Sequence, residues 1–311
     1  MLDNRQGFLT FSAFASVVIL GGLNGIGVRF TVLELAPFWG AVLRFVPTTL
    51  VFFLLVFAFR LPLPRGRSLL GACVYGFLSI GMSYAFIYWG LQKIPASMAM
   101  LFLALVPLMT LLFAVAHHQE ALHWRAIFGA LLAVGGIVLV FGLQLGSNVP
   151  IASLVALLLG TACMAESSVI IKGFPQSHPV STNAIATATG CVLLMIMSFL
   201  GQETHVLPSM PRTWIALVYL VIGGSCILFV LFLYVLKRWT ASATSYAFIL
   251  MPFVTVVAAA LLAQETISVI FLLGGILVIA GVYIGALRPA VGKKPMQQIV
   301  NVEAMPTPGC D

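Results

Sequence analysis

With 311 residues, 61% of them hydrophobic and 7% charged, the chain carries about a quarter of the charge of a soluble globule and is excluded from that class. A mean hydropathy of +1.14 places it in lipid. The net charge of +7 is scattered along the chain rather than gathered in a patch, which points away from nucleic acid as a partner.

Apolar runs of about 20 residues, the length that spans a hydrocarbon core, can be marked from one end of the chain to the other. The first, 8 to 30, follows Arg5 but is too long for a signal-peptide core and has no clean cleavage site. It carries Gly21, Gly22 and Asn24, the last a polar side chain at membrane depth. The second run, 36 to 59, opens at Pro37 and contains Arg44. A charge there costs at least about 2.5 to 3.5 kcal/mol if it meets lipid, so Arg44 faces inwards. It is read as a ligand for a substrate carboxylate, or as paired with helix-end carbonyls or Glu166.

The third run, 68 to 91, places Phe77, Gly81, Tyr84 and Tyr88 on one helical stripe. Tyr84 and Tyr88 suit the wall of a cavity for a partly apolar solute; Tyr88 and Trp89 also fit an interfacial aromatic belt. The fourth run, 96 to 117, has Pro107 near its middle. Proline donates no amide hydrogen and crowds the carbonyl four residues earlier, so the Leu103 carbonyl is expected to be freed at a hinge. Beyond it, His117, His118, Glu120 and His123 hint at a metal site. Their counterparts one repeat later keep the glutamate and none of the histidines, so no metal is assigned.

After a fifth run, 124 to 143, the sixth, 151 to 172, brings Glu166 and Ser168 into the membrane as cavity residues. Desolvation favours the neutral form of a carboxyl, which makes Glu166 a candidate proton carrier. The seventh and eighth runs, 180 to 200 and 212 to 236, flank the one longer link, Gly201 to Pro211. The ninth, 241 to 263, offers Tyr246 as a cavity residue and Pro252 as a second hinge, expected to free the Phe248 carbonyl. A tenth run, 268 to 288, precedes a polar, proline-containing tail, 289 to 311, read as disordered and cytoplasmic.

One stretch is written twice. Ser97, Pro107, Gln119, Glu120, Gly129 and Gly136 recur 145 residues later as Ser242, Pro252, Gln264, Glu265, Gly274 and Gly281. Ten spans with that period give five helices per copy, 1 to 148 and 149 to 288. An odd number forces the second copy into the membrane from the opposite side. The expected fold is an all-α integral membrane protein of ten transmembrane helices in two inverted five-helix repeats.

With both termini cytoplasmic, eleven Lys and Arg residues lie inside against Arg29, Lys93 and Arg212 outside, as the positive-inside rule requires. Four of the five cysteines sit within spans and read as packing residues, not a disulfide framework. No P-loop, nucleophile elbow or zinc-protease motif is present, so neither an enzyme nor a primary pump is expected, and no cofactor.

The chain resembles the EamA-type permeases of the drug/metabolite transporter superfamily. The resemblance rests on Gly21 to Asn24, on Pro37 with Arg44 and Phe45, on the S-x(9)-P-x(12)-E stretch ending at Glu120 and again at Glu265, and on the glycine pairs Gly129 to Gly136 and Gly274 to Gly281. It departs from the family pattern at Gly21, where a tryptophan often precedes the glycine, and around Glu166. It implies export of amino acids or other small metabolites through a central cavity, without ATP hydrolysis, in a bacterial inner membrane.

Combined with the residue reading, the expected function is secondary transport of a small polar or zwitterionic metabolite by alternating access. A passive facilitator or channel is the alternative. The expected partners are the metabolite, membrane lipid and protons, with the protein a monomer or weak homodimer.

Overall fold

The computed structural model describes residues 2–119, 124–142, 150–262 and 269–284, and all regular secondary structure among them is helical. The helices are α1 (Leu2–Val32), α2 (Pro37–Ala58), α3 (Arg67–Leu91), α4 (Ala96–Leu103 continuing as Val106–Ala116), α5 (Trp124–Gly142), α6 (Ile151–Lys172), α7 (Pro179–Leu200), α8 (Pro211–Arg238), α9 (Ala241–Ser245 continuing as Ala247–Leu262) and α10 (Val269–Val282). Among the described residues eight, all but α5 and α10, are long and apolar enough to cross a membrane. Glu120, Glu265, the link between the expected halves and the tail from 289 lie outside the described residues.

Polarity runs opposite to that of a soluble protein. The outer surface carries Leu54, Phe57, Leu131, Ile215, Leu261 and Leu273, whereas Thr31, Thr48, Thr110, Thr161, Thr187 and Thr255 are buried. That is the order lipid demands, because polar groups must be satisfied inside. Several threonines are satisfied within their own helix by donating to the carbonyl four residues back, as Thr48 to Arg44, Thr110 to Val106 and Thr161 to Leu157 at 2.7–2.8 Å.

The helix neighbours are the same under exchange of the halves. α1 packs on α8 and α9, while α6 packs on α3 and α4; α2 pairs with α7, and α5 with α10. Lipid tails supply no hydrophobic drive between helices, so these contacts rely on small residues. A Cβ on Gly22 would come within 2.9 Å of the Met251 carbonyl, and one on Gly160 within 3.0 Å of the Ser83 carbonyl, so both glycines admit close backbones.

The two halves also share features that their residues do not. α2 and α7 each open on a proline, run 22 residues and end with a left-handed residue, Arg60 and Gln202. At both ends the same pair of bonds closes the helix, Leu61 N to Val56 O and Glu203 N to Ser198 O supplying the longer one. A π-helical turn interrupts α3 at Phe77–Met82 and α8 at Ile222–Ile227, again 145 residues apart.

The expected hinges behave differently from each other. α4 breaks at Ala104 and Leu105, just ahead of Pro107, which then sits in the first turn of the second segment, where proline is tolerated. α9 breaks earlier, at Tyr246, and Pro252 lies inside the continuing helix.

Candidate functional site

A cavity of about 880 Å³, its open mouth included, lies at the centre of the bundle. Its walls come from α1, α3 and α4 of the first half and from α6, α8 and α9 of the second, which are the corresponding helices. Most of the lining is apolar, including Met100, Leu103, Phe229, Phe232 and Met251. Asn24, Ser79, Tyr84, Thr161 and Ser168 supply the polar groups, the proportions of a site that holds an apolar body and orients a few polar atoms.

Three of the residues singled out from the sequence therefore line the cavity: Asn24, Tyr84 and Ser168. Arg44 and Tyr88 do not line it; both are fully buried one layer behind. The Arg44 guanidinium carbon lies 4.8 Å from the Tyr84 ring centre and 5.0 Å from that of Phe45, two rings that themselves meet edge to face at 4.9 Å, so the cation sits against an aromatic pair. Tyr84 thus has one face on the cation while it lines the cavity.

The π-helical turn of α8 anchors this cation. Its wider turn presents the Gly224 carbonyl to neighbouring helices, and that oxygen accepts from Arg44 Nη2 at 2.7 Å and from Asn24 Nδ2 at 3.1 Å. Arg44 Nε donates to Ser225 Oγ at 2.8 Å. Glycine at 224 leaves room for the Asn24 amide to sit where it does, since a Cβ there would meet Asn24 Oδ1 at 2.0 Å. Because the carbonyl only accepts, the Asn24 amide nitrogen must face it, which leaves Oδ1 free. Arg44 Nη1 and the Tyr88 hydroxyl are likewise buried, and Tyr88 stands against Arg44 and Thr31.

Arg44 meets neither helix-end carbonyls nor Glu166: its acceptors are the Gly224 carbonyl and the Ser225 hydroxyl, both inside α8. Glu166 points elsewhere: its Oε1 lies 2.6 Å from His117 Nε2, tying α6 to the end of α4. The pair is partly exposed, and Gln119 Nε2 adds a bond to the Val169 carbonyl beside it. Glu166 and Tyr246 do not line the cavity, and Tyr246 instead packs at the break in α9. Among the described residues no cluster of side chains could hold a metal ion, and Cys73, Cys163, Cys191 and Cys226 are free thiols.

Sequence reasoning missed the π-helical turns and the carbonyl they present. It also missed two carboxylates at the ends of the bundle. Glu34, in the α1–α2 link, accepts from Ser209 and from the Met210 amide at the start of α8. Glu203, in the α7–α8 link, accepts from the Phe38 and Trp39 amides at the start of α2, at 3.1 and 2.7 Å. Each half thereby caps a helix N-terminus of the other, where orphan amides and the helix dipole favour an anion. The only available signal was an acidic residue in each of two links.

A model of the EamA-like transporter family matches residues 9–142 and again 151–286. The chain is 29% identical over 299 residues to an Escherichia coli K12 protein described as an uncharacterized inner membrane transporter, YedA, covering 92% of this chain and 96% of that one. It is 25% identical over 280 residues to a probable amino-acid metabolite efflux pump of the same organism, covering 86% and 91%. A solved crystal structure shares the fold with a TM-score of 0.68 at 20% identity, over 89% of this chain and 98% of that one.

Proposed function

The chain belongs to the EamA-like transporter family, and on that premise we propose that it is a secondary transporter exporting a small polar or zwitterionic, amino-acid-like metabolite by alternating access. The observation that carries this reading is the cavity built from the same three helices of each half. Two inverted halves that can exchange conformations open one shared site to each side in turn. The exchange-symmetric helix neighbours and the paired π-helical turns support five helices per half, with α5 and α10 completing ten spans. The relative described as an amino-acid metabolite efflux pump supports the solute class.

Both termini lie in the cytoplasm of a bacterial inner-membrane protein on this reading, and the reciprocal Glu34 and Glu203 caps lie at the periplasmic end. Glu166 with His117 is the candidate for proton coupling, because a carboxyl and an imidazole in hydrogen-bond contact link α6 to α4. Replacing Glu166 with Gln should uncouple uptake from an imposed pH gradient in proteoliposomes; a coupled variant removes Glu166 from the mechanism.

Counterflow tests the transporter reading itself. Proteoliposomes loaded with unlabelled amino acids should take up label transiently faster than empty ones. Equal rates with and without internal solute would assign a passive channel instead.

A further inference from the structure

Resting on that transporter reading, we infer that Arg44 binds the carboxylate of the transported solute in a subsite that the Tyr84 ring separates from the cavity, with Asn24 Oδ1 receiving the solute's ammonium group.

The first ground is charge. Arg44 is wholly buried, and among the described residues no carboxylate stands within ion-pair distance of it. A buried cation without an anion is costly, and here two aromatic rings and two oxygen atoms are its company. An arrangement that leaves the counter-charge to an arriving ligand accounts for that choice. The second ground is geometry. Nε and Nη2 are held by Ser225 and Gly224, which fixes the plane of the guanidinium and leaves Nη1 as the spare donor. The buried Tyr88 hydroxyl stands against the same guanidinium, so the two groups form one cluster of donors for the two oxygens of a carboxylate.

The third ground is the neighbour across the shared carbonyl. Asn24 lines the cavity, and its Oδ1, buried against Gly224 and without a donor, is an acceptor that suits an ammonium group once the amide turns towards the cavity. The cation and the amide that share one carbonyl, Gly224 O, match the two ends of an α-amino acid. The apolar walls formed by Met100, Leu103, Phe229 and Met251 then take an apolar side chain. Tyr84 closes the arrangement: its ring covers the guanidinium on one side and lines the cavity on the other, so the carboxylate reaches Arg44 only when that ring turns aside.

The test uses the full chain in proteoliposomes, with labelled leucine and phenylalanine as probes. Competition by leucinamide and phenylalaninamide, which lack the carboxylate, and by N-acetyl-leucine, which lacks the ammonium, should be about 30-fold or more weaker than by the parent acids. Arg44→Lys keeps the charge without the fork and should weaken competition by leucine about tenfold, while Arg44→Gln should abolish the preference for acid over amide. Tyr84→Phe keeps the ring and the preference, whereas Tyr84→Ala should speed counterflow of leucine and erode the preference. If Arg44→Gln does not fold, the acid-against-amide comparison in the wild-type chain still decides. Amides competing as well as acids overturn the subsite and leave the transporter reading intact; a wild-type chain that moves neither probe overturns the amino-acid reading and the subsite together.

Discussion

Arg44 and Ala186 stand at the same place in two helices of equal length, each seven residues beyond the proline that opens its helix, yet they meet the two π-helical turns in different ways. Arg44 reaches the turn of α8 with its guanidinium, at Gly224 and Ser225. Ala186 meets α3 beside its turn with bare backbone, so that a Cβ on Gly76 would come within 2.3 Å of the Ala186 carbonyl. One framework is thus used twice, once to hold a cation and once to bring two helices together.

That difference predicts opposite outcomes for two glycine substitutions. Gly224→Ala sets a methyl against the Asn24 side chain, which can swing away, so the protein should fold while transport falls by about ten- to a hundredfold from the misplaced amide. Gly76→Ala sets a methyl against backbone that cannot move, and should lower stability by roughly 1–3 kcal/mol. Gly135→Ala meets nothing within 4 Å and should be neutral or stabilising by up to about 1 kcal/mol. Melting temperatures in detergent beside transport rates in liposomes check all three; equal loss of stability for Gly224→Ala and Gly76→Ala would contradict the distinction.

Acid should loosen the cap that Glu34 supplies. The Thr213 hydroxyl beside its carboxylate, with the Ser209 hydroxyl and the Ser209 and Met210 amides, holds its pKa down to about 2 from 4.5. A depressed folded value means that the ionised cap stabilises the fold above pH 4.5, and that this contribution is lost as the pH falls through the folded value, a window from about 4.5 to about 2. The wild-type melting temperature should therefore drop more steeply below pH 4.5 than that of Glu34→Gln. Parallel curves for the two proteins would show that the carboxylate does not act as drawn.

Glu203 offers a test of the other cap at neutral pH. Its carboxylate accepts from two amides of α2 and from the Ser198 hydroxyl at 2.8 Å. Removing it in Glu203→Ala strands the Phe38 and Trp39 amides at the helix start, at a cost of about 1–2 kcal/mol. Hydrogen exchange should localise the change to the first turn of α2, with the far end of that helix unaffected. Protection lost along the whole helix would mean that Glu203 supports more than a cap.

What the sequence revealed and what it concealed divide along physical lines. Hydropathy located the helices because lipid imposes a composition on every span, and the doubled stretch around Pro107 and Pro252 gave the repeat because those residues are kept. Asn24, Tyr84 and Ser168 were legible as cavity residues because a polar tip at membrane depth has few other places to go. The π-helical turns were not legible, since Phe77–Met82 and Ile222–Ile227 share no residue at matching positions. A widened turn is a property of backbone bonding, which many sequences satisfy. Nor could the partner of Glu166 be read, because helical spacing places residues on a face but does not say that His117, from another helix, lies 2.6 Å away.

The twin threonines of the doubled stretch separate a bond within a helix from one between helices. Thr110 and Thr255 occupy matching positions, and each donates to the carbonyl four residues back, at 2.7 and 3.1 Å. Thr255 also reaches the Gly22 carbonyl of α1 at 2.6 Å, beside the close approach that Gly22 permits. Valine has nearly the shape of threonine and lacks the hydroxyl, so Thr110→Val loses only a local bond whose acceptor is already served by the helix. Thr255→Val additionally leaves the contact between α1 and α9 without its bond. Hydrogen bonds between membrane helices contribute about 0.6 kcal/mol on average, and Thr255→Val should be less stable than Thr110→Val by about that amount. Because α1 and α9 both line the cavity, Thr255→Val should also change the rate of counterflow, whereas Thr110→Val should not. Indistinguishable stabilities and rates would remove this bond from the set that holds the two halves together.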